Sequence, residues 1–308
     1  NTGLHYQYFL FNGANRVEQR LGVKWDVNER HALSLAFGRH SQLPPTSMYF
    51  SKIEGAGSDS SPNADLGFLQ SDHFVIGYDY KLSPVTRIKL EAYYQGLSDV
   101  PVDSEQSSYS VLNQGANFYF DFPERLVNEG TGQNYGIEFT LERFLDRGLY
   151  YLLTASLFES KYVASDGNTY NTAFNGNYNL TALAGYESEV FKKRSERAKL
   201  VFTSNARFTI NGGQRYTPFD LDRSRVVGVG VLDESQTFEG RFDDYWRIDV
   251  RFGLKRNGSR VTHELAAELQ NITARQNVFT VQYNPEREQT EELYQLGFLP
   301  VAQYRLYF

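Results

Sequence analysis

The sequence predicts an all-β fold, an antiparallel transmembrane β-barrel with about twelve strands in this chain. Three observations predict it. Apolar and polar residues alternate at period two along most of the chain, while helical periodicity is nearly missing. Short and long connections take turns between the alternating segments, the layout of outer-membrane barrels. Aromatic residues are abundant, 22 Tyr and 23 Phe in 308 residues, and such residues fill the girdles at membrane interfaces. A sandwich or propeller has no reason to sort its connections by length.

Residues 4–11, 17–27 and 32–39 open the series of expected strands. In the next, Phe74, Ile76, Tyr78, Tyr80 and Leu82 alternate with Val75, Gly77, Asp79 and Lys81. Ile88, Leu90, Ala92 and Tyr94 then alternate with Arg87, Lys89, Glu91 and Tyr93. Residues 134–145, 149–159, 177–190 and 198–210 continue the pattern. Trp246, Ile248, Val250, Phe252 and Leu254 alternate with Arg247, Asp249, Arg251, Gly253 and Lys255, and residues 260–272 and 300–308 complete the set. Most are near the ~9–11 residues that a tilted strand needs to cross a bilayer. Phe74, Ile76, Tyr78, Ile88, Leu90, Trp246, Ile248, Val250, Tyr304 and Leu306 should therefore meet lipid. Lys89, Glu91, Glu138, Glu142, Arg247, Asp249, Arg251, Glu264, Glu268 and Arg305 should point inward. Their mixed sign suits cross-strand pairing and contact with a plug better than an ion-selective pore.

Tight turns are expected at 28–30, 83–85, 146–148, 192–196 and 257–258, with long segments at 40–70, 95–133, 161–176, 211–243 and 273–299. In bacterial outer-membrane barrels the short turns are periplasmic and the long loops extracellular. The last strand then descends, and Phe308 lies on the periplasmic side.

Composition narrows the function. The chain has no cysteine, which excludes disulfides, thiolate metal sites and cysteine nucleophiles. A net charge of -6 argues against a nucleic-acid partner. Mean hydropathy is -0.50, and no run approaches the ~20 apolar residues of a spanning helix. The five histidines, His5, His31, His40, His73 and His263, show no metal-ligand spacing; His31 adjoins a turn and His40 begins a loop. No G-x-S-x-G elbow occurs, and Ser195, in a charged turn, lacks an evident base, so no catalytic residue, metal or cofactor is expected. Glu54–Asp65 is oxygen-rich but lacks ordered Ca²⁺-loop spacing and reads as a solvated loop. The loop segments 117–122 and 216–219 are aromatic. Phe118, Tyr216 and Phe219 could stack on a ligand, and Arg215, Arg223 and Arg225 could pair with an anionic one, or the rings could pack loops together over the mouth.

The segments Val17-Glu-Gln-Arg-Leu-Gly-Val-Lys-Trp25 and His31-Ala-Leu-Ser-Leu-Ala-Phe-Gly-Arg-His-Ser-Gln42 resemble the barrel of TonB-dependent outer-membrane receptors, particularly those of Bacteroidetes. Gly212-Gly213-Gln-Arg-Tyr-Thr-Pro-Phe219, Leu269-Gln-Asn-Ile-Thr273, Tyr283-Asn284 and Gly297-Phe-Leu-Pro300 are similar to the same group. The resemblance implies a 22-stranded barrel plugged by an N-terminal globular domain, of which residues 1–308 would be the C-terminal part. It implies outer-membrane lipid, a plug, the remaining strands, the TonB complex and the barrel assembly machinery as partners. It implies uptake of a scarce nutrient: a siderophore, cobalamin, an oligosaccharide or a peptide. On that reading residues 4–11 pair with a strand outside this chain and not with residues 300–308. Tyr304, Leu306 and Phe308 would form the terminal signal read during assembly. Two other readings remain open: a complete small outer-membrane channel or barrel enzyme of about twelve strands, and a soluble ligand-binding β-protein.

Overall fold

The computed structural model describes residues 1–51, 61–116, 121–190 and 199–308. The elements are β1 (Thr2–Tyr8), β2 (Asn15–Asp26), β3 (His31–Gln42), α1 (Thr46–Tyr49), β4 (Leu69–Ser83), β5 (Thr86–Asp103), β6 (Leu126–Asp146) and β7 (Leu149–Val163). There follow β8 (Thr169–Asn171), β9 (Tyr178–Glu189), β10 (Lys199–Asn211), β11 (Arg215–Tyr216), α2 (Leu221–Val227), β12 (Gly240–Arg241), β13 (Tyr245–Asn257) and β14 (Thr262–Gln270). The hairpin β15 (Val278–Asn284) and β16 (Gln289–Tyr294) precedes β17 (Leu299–Tyr307). Twelve strands form one antiparallel path in chain order, β1-β2-β3-β4-β5-β6-β7-β9-β10-β13-β14-β17, with β8 beside β7. Among the described residues no ladder joins β1 to β17, and no helix is long and apolar enough to cross a membrane.

The register turns period-two alternation into two continuous faces. Leu35 stands opposite Ile76, Ile76 opposite Ala92, Ala92 opposite Ile137 and Ile137 opposite Leu157. The band resumes at Ala206–Val250–Leu269 and Leu254–Leu265–Tyr304. These side chains are open: Ile76 is 54% exposed, Ile137 59%, Leu157 66% and Leu265 60%. A monomer in water rarely shows a contiguous apolar surface of this size. Around a membrane barrel, lipid covers it. On β4 the band runs from Phe74 to Leu82, and Asp72, paired with Arg39 at 2.7 and 2.8 Å, marks its upper edge.

A one-layer wall has protein on neither side, so the buried core sits elsewhere. It lies between the long connections, where Met48, Tyr49, Leu66, Val100, Val111 and Leu126 are each at most 8% exposed. Phe9 and Phe11 pack on Tyr49 from the β1–β2 turn. Asn63 ties the cluster together, its amide nitrogen donating to the Glu124 carbonyl (3.1 Å) and its oxygen accepting from the Leu126 N–H (2.7 Å).

The expected strands are all present among the described residues, with shifted ends. The expected loop 95–133 is shorter, because β5 runs to Asp103 and β6 starts at Leu126. The two strands continue because Val100 and Val102 are fully buried there, Val100 within the loop core. The strand expected over 4–11 stops at Tyr8, since Gly13 (φ 77) turns the chain and Phe9 and Phe11 serve the loop core instead. His40 lies inside β3 and does not begin a loop. Segment 211–243 holds α2, capped by the Asp220 carboxylate and ended by Gly228 in the left-handed region (φ 77). Segment 273–299 holds the β15–β16 hairpin. The expected turn 192–196 with Ser195, and residues 52–60 of the oxygen-rich loop, lie outside the described residues.

One glycine in the wall has a clear steric reason. Gly185 of β9 stands opposite Tyr150 of β7, and a Cβ there would lie 2.2 Å from the ring carbon Cζ. The tyrosine ring covers the bare glycine backbone, a known way to steady a glycine in a sheet. Gly185→Val should displace the ring and destabilise the barrel by about 1–3 kcal/mol, the usual range for overpacking. Urea unfolding in lipid checks it, and an unchanged midpoint would show the ring moves freely.

Candidate functional site

The inner face carries the charges. Lys89 Nζ lies 2.7 Å from Glu91, and Arg87 Nε lies 2.9 Å from Glu142. Arg251 pairs with Glu264, which also accepts a hydrogen bond from the Tyr307 hydroxyl (2.8 Å). Glu138 stands directly opposite Glu91 in the ladder. Like charges so placed repel, and Lys89 offsets this at Glu91. Lys89, Glu91, Glu138, Arg247, Asp249 and Arg251 thus share the face opposite the apolar band, mostly in pairs.

The densest inner cluster lies toward the long-connection end of β10 and β13. Arg207 is Asp249's direct cross-strand partner, so its guanidinium reaches the carboxylate through Nε (3.0 Å) and Nη2 (2.6 Å). Arg247, two residues before Asp249, approaches the same oxygen at 3.1 Å. The other carboxylate oxygen accepts the Asn271 N–H at 2.9 Å. Asp249 is 4% exposed. Beside this cluster opens a cavity of about 700 Å³ lined by Arg207, Arg247, Asn179, Asn211, Tyr245 and Phe158 among others. Such a volume is typical of small-molecule sites.

The loops close over this cavity by backbone contact. A Cβ on Gly212 would lie 1.8 Å from the Gly176 carbonyl oxygen, and one on Gly213 would lie 1.8 Å from that of Phe242. Gly212 therefore lets its segment meet Gly176 backbone to backbone, with Arg241 Nη2 donating to the same carbonyl (3.0 Å), and Gly213 lets the segment fold back on its own residue Phe242.

The ligand candidates from the loops fall into two groups. Arg215 donates through Nε to the Asn175 carbonyl (3.2 Å), and Tyr216 stacks at 4.4 Å on Phe242, a lining residue of the cavity, but neither Arg215 nor Tyr216 itself lines it. Phe219 instead packs near Tyr283 of β15, with ring centres 6.4 Å apart. Arg223 lies in α2, where its N–H is capped by Asp220. Those two are not brought to the cavity. Phe118 lies outside the described residues. Arg207, Asn179 and Asn211 were not among the expected site residues. Their inward parity was readable, but their convergence on Asp249 and the cavity depends on register.

The histidines gather more than their spacing suggested. His5 Nδ1 lies 3.0 Å from the buried Glu18, Arg20 Nη2 lies 3.4 Å from His40 Nδ1, and the His40 and His73 rings are 6.0 Å apart. Among the described residues no group of His, Asp or Glu could hold a metal ion. In the loop core, burial pushes the hydroxyls of Tyr49 and Tyr109 up to about 12.

Comparison with known proteins locates this architecture. No family model matches the chain, and no curated sequence matches it. Solved structures do. The outer membrane transporter YddB from Escherichia coli superposes with a TM-score of 0.64 at 12% identity, covering 99% of this chain and 42% of its own. The ferric yersiniabactin uptake receptor FyuA from Yersinia pestis gives 0.60 at 12%, covering 96% and 38%. The ferric-catecholate import receptor Fiu from E. coli K12 gives 0.58 at 13%, covering 96% and 36%. The chain has the barrel fold of these outer-membrane proteins. It spans about two fifths of the length of the structures it matches.

Proposed function

We propose that this chain is the C-terminal part of the barrel of a TonB-dependent receptor in the bacterial outer membrane, and that the receptor takes up a scarce nutrient. The observation that carries this reading is the superposition of 96–99% of the chain on transporters and on import and uptake receptors. The continuous apolar outer face, the charged inner face and the grouping of long connections at one end support it. A soluble ligand-binding protein would have to hide the outer band. The inner charges suit a plug domain seated in a wet lumen, and the mouth cavity suits a small or oligomeric nutrient. Siderophore, cobalamin, oligosaccharide and peptide remain the candidates. The narrower likeness to Bacteroidetes receptors rests on the sequence motifs alone.

Growth tests the reading. A strain lacking the gene should fail on one member of a panel of ferric siderophores, cobalamin, oligosaccharides and peptides supplied as sole source. Loss of TonB should reproduce that failure with the barrel still in the membrane. Growth that persists without TonB overturns it. Topology has its own check: protease on intact cells should cut within 212–244 and spare Asn257-Gly258. The reverse pattern would invert the barrel.

The terminal strand bears on assembly. Tyr304 is 63% exposed, Leu306 46% and Phe308 101%, all on the lipid side, with Phe308 one residue past β17. Deleting Phe308 should lower the amount of assembled barrel more than one interfacial contact explains. Unchanged surface levels would leave it only an interfacial anchor.

A further inference from the structure

We propose that the outward face of β4 to β7 holds a site for a neutral glycolipid of the surrounding membrane. Its sugars lie across the strands near their long-connection end, and one acyl chain runs down the wall from them. The inference rests on the membrane-barrel reading and goes beyond uptake, since this face looks away from the lumen.

One cross-strand row passes over the wall just beyond the apolar band. Asp72 stands opposite Gly96, Gly96 opposite Gln133 and Gln133 opposite Lys161. Asp72 and Gly96 share the parity of Phe74 and Tyr94, the next outward pair toward the middle of the wall, so the whole row faces outward. Around the row opens a cavity of about 500 Å³, with Phe74 and Tyr94 also in its lining. Gly96 leaves its floor bare. A Cβ there would meet only the Tyr94 ring, 3.5 Å from Cε1, which is ordinary contact. Packing therefore does not demand this glycine, in contrast to Gly185. A glycine inside a strand weakens the sheet and often marks a place where another molecule approaches the backbone.

The charges at the row are matched within the wall. Arg39 donates to both oxygens of Asp72 (2.7 and 2.8 Å), and Lys161 Nζ lies 3.5 Å from Glu159. Two cations and two anions leave no net charge to hold a phosphate. Hydrogen-bonding capacity remains. Each Asp72 oxygen keeps a lone pair, the Lys161 ammonium keeps donors, and the Gln133 amide has no protein partner among the described residues. Sugar hydroxyls both donate and accept, so they satisfy this mixture without bringing charge. The apolar face of a sugar ring also stacks on an aromatic ring, and Tyr94 is 46% exposed. From β4 to β7 is three strand spacings, about 14 Å, enough for two sugar rings end to end.

A second, apolar cavity of about 570 Å³ shares Phe74 and Tyr94 and continues along Leu35, Phe37, Ile76 and Ala92. The small Ala92 lies between Ile76 and Ile137 in the ladders and keeps this groove open. Polar cavity and apolar groove meet at the two rings, so the occupant that fills both is polar at one end and hydrocarbon at the other. A free sugar leaves the groove empty, and a phospholipid brings a phosphate that the row does not pair.

The test titrates the full-length protein, purified in tetraethylene glycol monooctyl ether, with digalactosyldiacylglycerol and reads bound lipid by native mass spectrometry. One glycolipid per chain should be retained, about tenfold or more tighter than phosphatidylethanolamine or phosphatidylglycerol with the same acyl chains. Gly96→Leu, which fills the floor of the cavity, should weaken the glycolipid about tenfold and leave phospholipid retention unchanged. Gln133→Leu should do the same without crowding the backbone, and it carries the test if Gly96→Leu does not assemble. Leu265→Ala, on the same face but far off on β14, should change nothing. Equal retention of the three lipids overturns the site, as does glycolipid affinity that survives in every cavity variant that assembles. Competition by free lactose at the glycolipid's own concentration would give the cavity to a soluble sugar and overturn the lipid occupant. A protein that stays monodisperse without detergent would overturn the membrane-barrel reading itself, whereas a detergent-requiring barrel indifferent to lipid type overturns the glycolipid site alone.

Discussion

Val250→Arg should lower the stability of the barrel by about 2–4 kcal/mol, the cost of an arginine on the lipid face near the midplane. Val250 is the middle one of the five apolar outward residues of β13, flanked across the ladders by Ala206 and Leu269. Small and aliphatic neighbours give a guanidinium no partner at that depth. The same change at Leu254, nearer the short-turn end, should cost less, because the side chain can snorkel to the interface. Unfolding in urea with the barrel in lipid measures both. A cysteine at 250 should react with a lipid-soluble reagent, while one at 249 should be shielded, since Asp249 points inward and is buried. The opposite labelling pattern would reverse the two faces of the wall.

Tyr49→Ala should open the cap formed by the long connections, with a local loss of about 3–5 kcal/mol, the range for removing a large buried aromatic side chain. Tyr49 is 1% exposed and packs on Phe9, 5.2 Å between ring centres. Tyr49→Phe is the informative partner. The Tyr49 hydroxyl is buried and without a hydrogen-bond partner among the described residues, so its removal should be neutral or stabilising. Amide exchange at Leu66 and Leu126 should accelerate strongly in the alanine variant and hold or slow in the phenylalanine one. Equal exchange in all three proteins would mean that the loops do not open as a unit. The cap should also respond to strong alkali. Burial raises the Tyr49 hydroxyl from 10.0 to about 12 in the closed loops. Its contribution is therefore complete below pH 10 and lost as pH rises through about 12. Tyr109, likewise raised to about 12, should add to this loosening, and Tyr49→Phe should blunt it.

The faces of the wall were legible because a strand encodes them locally. Whether Ile76 or Gly77 meets lipid depends only on parity along β4, and parity is written in a few adjacent residues. The sorting of short and long connections was legible for the same reason, since each is measured along the chain. Loop architecture was not. The ends of β5 and β6 are set by burial of Val100 and Val102 against segments far away in sequence, and Asn63 meets Leu126 across 63 residues. No local pattern marks such contacts. The loop candidates divided on the same ground: Arg215 and Tyr216 pack on Asn175 and Phe242, while Phe219 and Arg223 went with Tyr283 and the α2 cap.

What the sequence by itself determined, then, is a membrane barrel wall with known faces and a known sorting of its connections. Only the tertiary structure decided which inward charges meet. A shift of two residues between β10 and β13 would preserve every face yet move Arg207 away from Asp249. Alternation distinguishes in from out and is blind to even shifts, so the arginine pair, its shared carboxylate and the cavity beside them depend on the packed register and loops.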